Sequence, residues 1–139
     1  MAIKNYTTTV DVYKSLGEIQ AALASHGAGR IIIDYNGGHP REIRFVLDTP
    51  AGERGFILPA AVDGTLRVFE KQKIKASIDQ AERTAWRNVR DWILAQIELV
   101  ESCGIDMAEP FLPYLDDNNG RTLYEHYRSG QLMLEDKMK

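Results

Sequence analysis

Cysteine is almost absent, with Cys103 the single one in 139 residues. One thiol closes no internal disulfide, which suits a reducing compartment. Near a helix end it is expected to act as a small apolar filler. Long apolar runs are missing too, and no stretch reaches the roughly 20 residues of a membrane span. Residues Met1-Ala2-Ile3-Lys4-Asn5-Tyr6 lack the charged region and apolar stretch of a signal peptide. A soluble intracellular protein with no membrane partner is expected. Excess positive charge is also lacking. Lys and Arg number 17 against 20 Asp and Glu, a net of −3 with a pI near 5.6. That balance disfavours a generic polyanion binder, because non-specific nucleic-acid affinity comes from positive charge.

Catalytic signatures are lacking as well. Gly27-x-Gly29 has no third glycine and sits after a helix and before a strand, the wrong order for a dinucleotide loop. No glycine–lysine phosphate loop occurs. His26, His39 and His126 fall in different elements, none with a second histidine or cysteine at metal spacing. In Asp116-Asp117-Asn118-Asn119-Gly120, taking Gly120 as the sixth position of a calcium loop puts Leu115 first, where a carboxylate is required. A turn is expected there. His126 and Ser129 share a helical face without an orienting acid. No catalytic residue, metal site or cofactor is therefore assigned, and the chain is expected not to be an enzyme.

What is present fits one globular domain spanning 1–139. Hydrophobic residues make up 44% and charged residues 27%, near the globular averages. Such a length buries roughly two-thirds of its unfolded surface, enough for a core without staples. Residues 4–10 (Lys-Asn-Tyr-Thr-Thr-Thr-Val) are β-branched and aromatic and predict a strand. Asp11 is placed to cap a helix whose Val12, Leu16, Ile19 and Leu23 share one face. His26-Gly27-Ala28-Gly29 ends it. Arg30 to Tyr35, Glu42 to Asp48 and Glu53 to Leu58 predict three strands, joined at Asn36-Gly37-Gly38 and Thr49-Pro50-Ala51-Gly52. A short helix is expected over about 62–73. Ser77-Ile78-Asp79-Gln80 has capping-box spacing and opens the longest helix, to about Ser102. Its stripe is Trp86, Val89, Ile93, Ile97 and Val100, flanked by Ala85, Trp92 and Leu99. Phe111-Leu112-Pro113-Tyr114-Leu115 is too apolar to be left in water and is expected to dock on the body. Thr122-Leu123-Tyr124-Glu125 predicts a second capping box and a helix over 122–129, and the last nine residues are expected to fray. The class is α+β: a strand, a helix and a three-strand meander packed against C-terminal helices, one of them a long core helix. The order helix–strand–strand–strand–helix matches that of double-stranded-RNA-binding domains. With a leading strand it matches the annealing-protein fold of recombination mediators. Order alone does not fix function.

Charge is unevenly spread. Residues 66–97 carry seven positives and four negatives, a net of +3, while 98–139 carry a net of −5. Lys71, Lys73, Lys75, Arg83, Arg87 and Arg90 are the candidate contacts for an anionic partner. Asp79–Arg83 and Arg87–Asp91 lie at i,i+4 and are expected to pair within the helix, which makes a solvated face the plainer reading. Asp116, Asp117 and Glu125 are the candidate contacts for a basic partner. Self-association of acidic tail with basic segment is a third reading. The outer sheet face shows Arg30, Asp34, Glu42, Arg44, Asp48 and Arg54, whose opposite charges suit a wet antiparallel face. Trp86 and Trp92 sit at core spacing, and Phe111 and Tyr114 anchor the tail.

Several segments together resemble a known group of sequences. They are Asn5-Tyr6-Thr7-Thr8-Thr9, Leu58-Pro59-Ala60, Ala81-Glu82-Arg83-Thr84-Ala85-Trp86-Arg87-Asn88-Val89-Arg90-Asp91-Trp92 with Ala95-Gln96, Phe111-Leu112-Pro113-Tyr114-Leu115 and Gly120-Arg121-Thr122-Leu123-Tyr124. Across most of the chain the pattern resembles a family of small uncharacterised phage, prophage and mobile-element proteins. The resemblance implies a mobile-element context and the cytoplasm of a bacterial host. It brings no activity and no functional residues. Two functions follow as expectations: a non-enzymatic binder of a host or defence protein, acting as an inhibitor of defence machinery, or a nucleic-acid-binding accessory in replication or recombination. A third is an enzyme whose site forms only between copies of a homo-oligomer.

Overall fold

The computed structural model describes residues 1–130, so the fraying expected of the last nine lies outside the described residues. The fold is α+β. In chain order the elements are α1 (Val12–Ser25), β1 (Ala28–Asn36), β2 (His39–Thr49), β3 (Gly52–Pro59), α2 (Val62–Lys71), α3 (Ile78–Cys103), α4 (Ala108–Phe111), a 3-10 turn (Leu112–Tyr114) and α5 (Leu123–Arg128).

The sheet is an antiparallel meander, ordered β1-β2-β3. Gly37 and Gly38 both have positive φ, 58° and 81°, as a tight two-residue hairpin requires. Ile43, Phe45 and Leu47 alternate inward from β2 and are buried. Phe45 stacks on Phe56 of β3 with ring centroids 5.4 Å apart. The helices cover this inner face. Val12, Leu16, Ile19 and Leu23 of α1 join Ala81, Ala85, Trp86, Ile93 and Ile97 of α3 in the same core cluster. Asp11 caps α1 through Tyr13 N, and Ser77 caps α3 through Gln80 N. Gly104 closes α3 in the left-handed conformation, φ 64°.

Residues 4–10 do not form the expected strand; they run as turns and irregular chain. Side chains of α3 replace a neighbouring strand as their partner. Gln80 Nε2 donates to the carbonyls of Tyr6 and Thr8, Thr84 Oγ1 to that of Asn5, and Asn88 Nδ2 to that of Lys4. Asn5 takes a positive φ of 64° and donates its amide to Asn88 and Asp91. Because Gln80 faces this strap, only the serine half of the expected capping box at α3 forms. With no leading strand, the element order departs from that of the annealing fold.

Helix α2 stops two residues earlier than expected. Lys73 sits at φ 59° while its N–H bonds to Glu70 O and that of Ile74 to Phe69 O. That is the paired closure of a Schellman motif. On α3, Leu99 is 51% exposed and sits outside the core. Cys103 is also exposed, not the apolar filler expected. The 111–115 segment docks as expected. Phe111 is fully buried against Phe45 and Trp92, Leu115 bridges to Phe56, and Asp116 N donates to Gly55 O. The tail thereby covers part of the β3 edge.

Candidate functional site

The six candidate cations do not form one surface. Arg87 points across to α1 and meets Glu18 at 2.6 Å; Arg90 reaches Glu18 at 3.6 Å and Asp91 at 2.9 Å. The expected Arg87–Asp91 pair gives way to this interhelical contact, and Asp91 pairs with Lys4 instead, at 3.1 Å. Arg83 donates to Gln80 in place of the expected Asp79 pairing. Arg87 and Arg90 thus cement α1 and α3, and the Arg87 hydrogen bond holds the Glu18 carboxyl below its usual range. Lys71, Lys73 and Lys75 project from the α2–α3 connection into solvent. Beside them a groove of about 380 Å³ is lined by Tyr6, Thr7, Lys75, Ser77, Gln80 and Arg83.

Asp116, Asp117 and Glu125 lie close together, but each is engaged in shaping its own loop. Asp116 Oδ1 accepts from the N–H groups of Asn118 and Gly120, and Asp117 Oδ1 from those of Asn119 and Arg121. Asp117 Oδ2 lies 2.7 Å from His126 Nε2, which keeps the Asp117 carboxyl below its ordinary range. Glu125 completes a reciprocal capping box with Thr122. The acid missing from the His126–Ser129 pairing is thus supplied by Asp117, while Ser129 Oγ donates to the His126 carbonyl.

All three histidines meet a carboxylate: His26 with Glu101 at 2.7 Å, His39 with Glu82 at 2.8 Å, and His126 with Asp117. Glu82 is buried and also takes Arg41 at 3.0 Å, while Trp86 Nε1 donates to Pro40 O. This arrangement pins the start of β2 to α3. Sequence spacing gives no sign of it, because 41 residues separate Arg41 from Glu82. Among the described residues no cluster of His, Cys, Asp and Glu has the geometry to hold a metal ion. No described helix is long and apolar enough to cross a membrane.

The described residues also form apolar concavities. A cleft of about 430 Å³ lies between β3, α2 and α3, lined by Leu58, Val89, Trp92 and Tyr114 with Thr65 and Asn88. A shallow hollow of about 200 Å³ on the C-terminal module is lined by Leu112, Pro113, Leu123, Tyr124 and Tyr127. Leu112, Tyr124 and Tyr127 are 45%, 53% and 57% exposed, and the two tyrosine rings lie 6.0 Å apart. The sequence identified α5 from its capping box but not this exposed face. The segment that carries it is acidic in sequence: residues 98–130 hold seven negatives and two positives, the whole −5 of the C-terminal segment.

On the outer sheet face, Arg44 Nε sits 2.8 Å from Asp34 and 3.2 Å from Glu42. Arg54 lies elsewhere; it is opposite Leu47 and so has the parity of the core face, at the solvent-exposed end of β3.

Comparison of the chain with family models, with curated proteins and with solved structures finds no match.

Proposed function

We propose that the chain is a non-enzymatic protein-binding module of a phage or other mobile element, acting by contact with a host or defence protein. The observation that carries this reading is the tyrosine-rich apolar hollow at Leu112, Pro113, Leu123, Tyr124 and Tyr127. Aromatic residues in a shallow apolar patch are the usual anchors of protein interfaces. The net negative charge of the C-terminal segment favours a partner that presents an apolar side chain flanked by Lys or Arg, since complementary charge steers encounter and rejects acidic competitors. The mobile-element setting rests on the family resemblance alone.

The test is affinity capture from nuclease-treated bacterial lysate, with the natural chain beside Tyr124→Ala/Tyr127→Ala, followed by titration of the captured protein. Binding is expected to survive nuclease and to weaken at least about 30-fold in the double variant, as loss of interface anchors does. Equal binding by both chains, or capture that nuclease abolishes, contradicts the reading. Neutralising Asp116, Asp117 and Glu125 is a poorer test, because these groups hold the loop together.

A nucleic-acid-binding accessory is the second reading, favoured by Lys71, Lys73 and Lys75 beside the Tyr6 groove. It requires a mobility shift with single-stranded DNA or RNA at low salt that the triple lysine-to-alanine variant loses.

A further inference from the structure

Strand β1 forms one edge of the sheet, and among the described residues its only strand neighbour is β2. Unpaired edges are usually blunted by charge, bulges or cover. Register shifts occur at both ends of β1, between Ala28 and Arg30 and between Asp34 and Tyr35. Between them, Arg30-Ile31-Ile32-Ile33-Asp34 runs in regular register against Val46 to Glu42. This stretch is symmetric about Ile32. Laid antiparallel on a second copy, Arg30 faces Asp34, Ile31 faces Ile33, and Ile32 faces itself.

Outer-face charge points the same way. Among the described residues, Arg44 alone pairs with both Asp34 and Glu42, two carboxylates to one guanidinium. Burial, and then hydrogen bonding to the neighbouring Asp34, push the Glu42 carboxyl above its usual range. Arg30 is exposed and takes part in no ion pair among the described residues. Ile32, on the same face, is 45% exposed. Each copy therefore has two carboxylates on one guanidinium and, two strand positions from Ile32, an arginine that shares a groove with Asp48 and Glu53 but pairs with neither among the described residues.

We propose that β1 pairs antiparallel with β1 of a second copy about a two-fold axis at Ile32, forming a six-stranded sheet with the Arg30 of each chain on Asp34 of the other. Such a contact is isologous and closes at the dimer. Backbone hydrogen bonding along the strand supplies affinity, and the Arg–Asp pairs set the register. The axis stands perpendicular to the sheet, so both helical layers lie on one side and do not cover each other's strands. This pairing is independent of the proposed partner hollow, which lies on α5 and the 3-10 turn.

Sedimentation equilibrium over a concentration series tests it. The natural chain is expected to rise from 15.7 kDa toward twice that mass. Arg30→Lys keeps the dimer, whereas Arg30→Asp places like charges opposite each other twice and weakens it about tenfold or more. Asp34→Arg alone does the same, and an equimolar mixture of Arg30→Asp with Asp34→Arg recovers association, because opposite signs then meet. Circular dichroism reports whether each variant is folded; if Asp34→Arg is not, the Arg30→Lys and Arg30→Asp comparison decides. A natural chain that stays monomeric throughout, or Arg30→Asp dimerising as well as Arg30→Lys, overturns the proposal. So does a folded mixture that fails to associate.

Discussion

Asp91 shows how one side chain secures a segment without regular structure. Burial opposes its charge, but hydrogen bonds from Asn5, Arg90 and Lys4 prevail and bring its pKa down to about 2. A carboxyl depressed in the folded state stabilises the fold above its unfolded pKa, near 3.9, and loses that contribution as pH falls toward the folded value. Asp91→Asn should therefore cost about 2 kcal/mol at neutral pH. The difference from the natural chain should vanish between about pH 4 and pH 2. Urea unfolding across that range checks both. His26 has the opposite sign. Its hydrogen bonds to Glu101 and to the Ala22 carbonyl raise its pKa, so its stabilising contribution is full at low pH and declines as pH rises through the raised value.

At the scale of the element, what was legible in the sequence was local periodicity and local punctuation. Val12, Leu16, Ile19 and Leu23 mark α1, and the alternation of Ile43, Phe45 and Leu47 marks β2, because burial on one face imposes the period. Asn36-Gly37-Gly38 and Thr122 to Glu125 are punctuation of equal strength. The leading segment departs from the expected strand for a physical reason. Tyr6 to Val10 have strand-forming side chains, but the groups that satisfy the carbonyls of Lys4, Asn5, Tyr6 and Thr8 are Asn88, Thr84 and Gln80, spaced at i,i+4 on a helix 70 or more residues away. Composition carries no trace of that ladder. The Schellman closure of α2 yields a prediction of its own. Lys73 occupies a left-handed position that favours glycine, so Lys73→Gly should stabilise the chain by about 1 kcal/mol, read as a raised melting temperature. A fall would show that the lysine side chain does more there than the backbone strain costs.

Over the whole molecule, the net charge of −3 conceals a division that the sequence revealed only in part. Counting by segment located the acid in the C-terminal module and the base in 66–97. It did not show that Arg87 and Arg90 are engaged by Glu18 from another helix. That contact takes Arg87 and Arg90 out of the exposed basic surface of this segment and leaves Arg67, the lysines at 71, 73 and 75 and the adjoining groove. Nor did it reveal the hollow at Tyr124 and Tyr127, since a capping box fixes where a helix starts but not which face stays uncovered. The surface then offers an acidic, tyrosine-bearing end and a basic connection on α2–α3 as alternative contacts. Amide hydrogen exchange, on the free chain and on its complex with the captured partner, distinguishes them most directly. Slowed exchange confined to 112–115 and 123–128 is the expected result. Slowed exchange at 71–83, with the C-terminal module unchanged, would contradict the assignment of the tyrosine hollow as the contact surface.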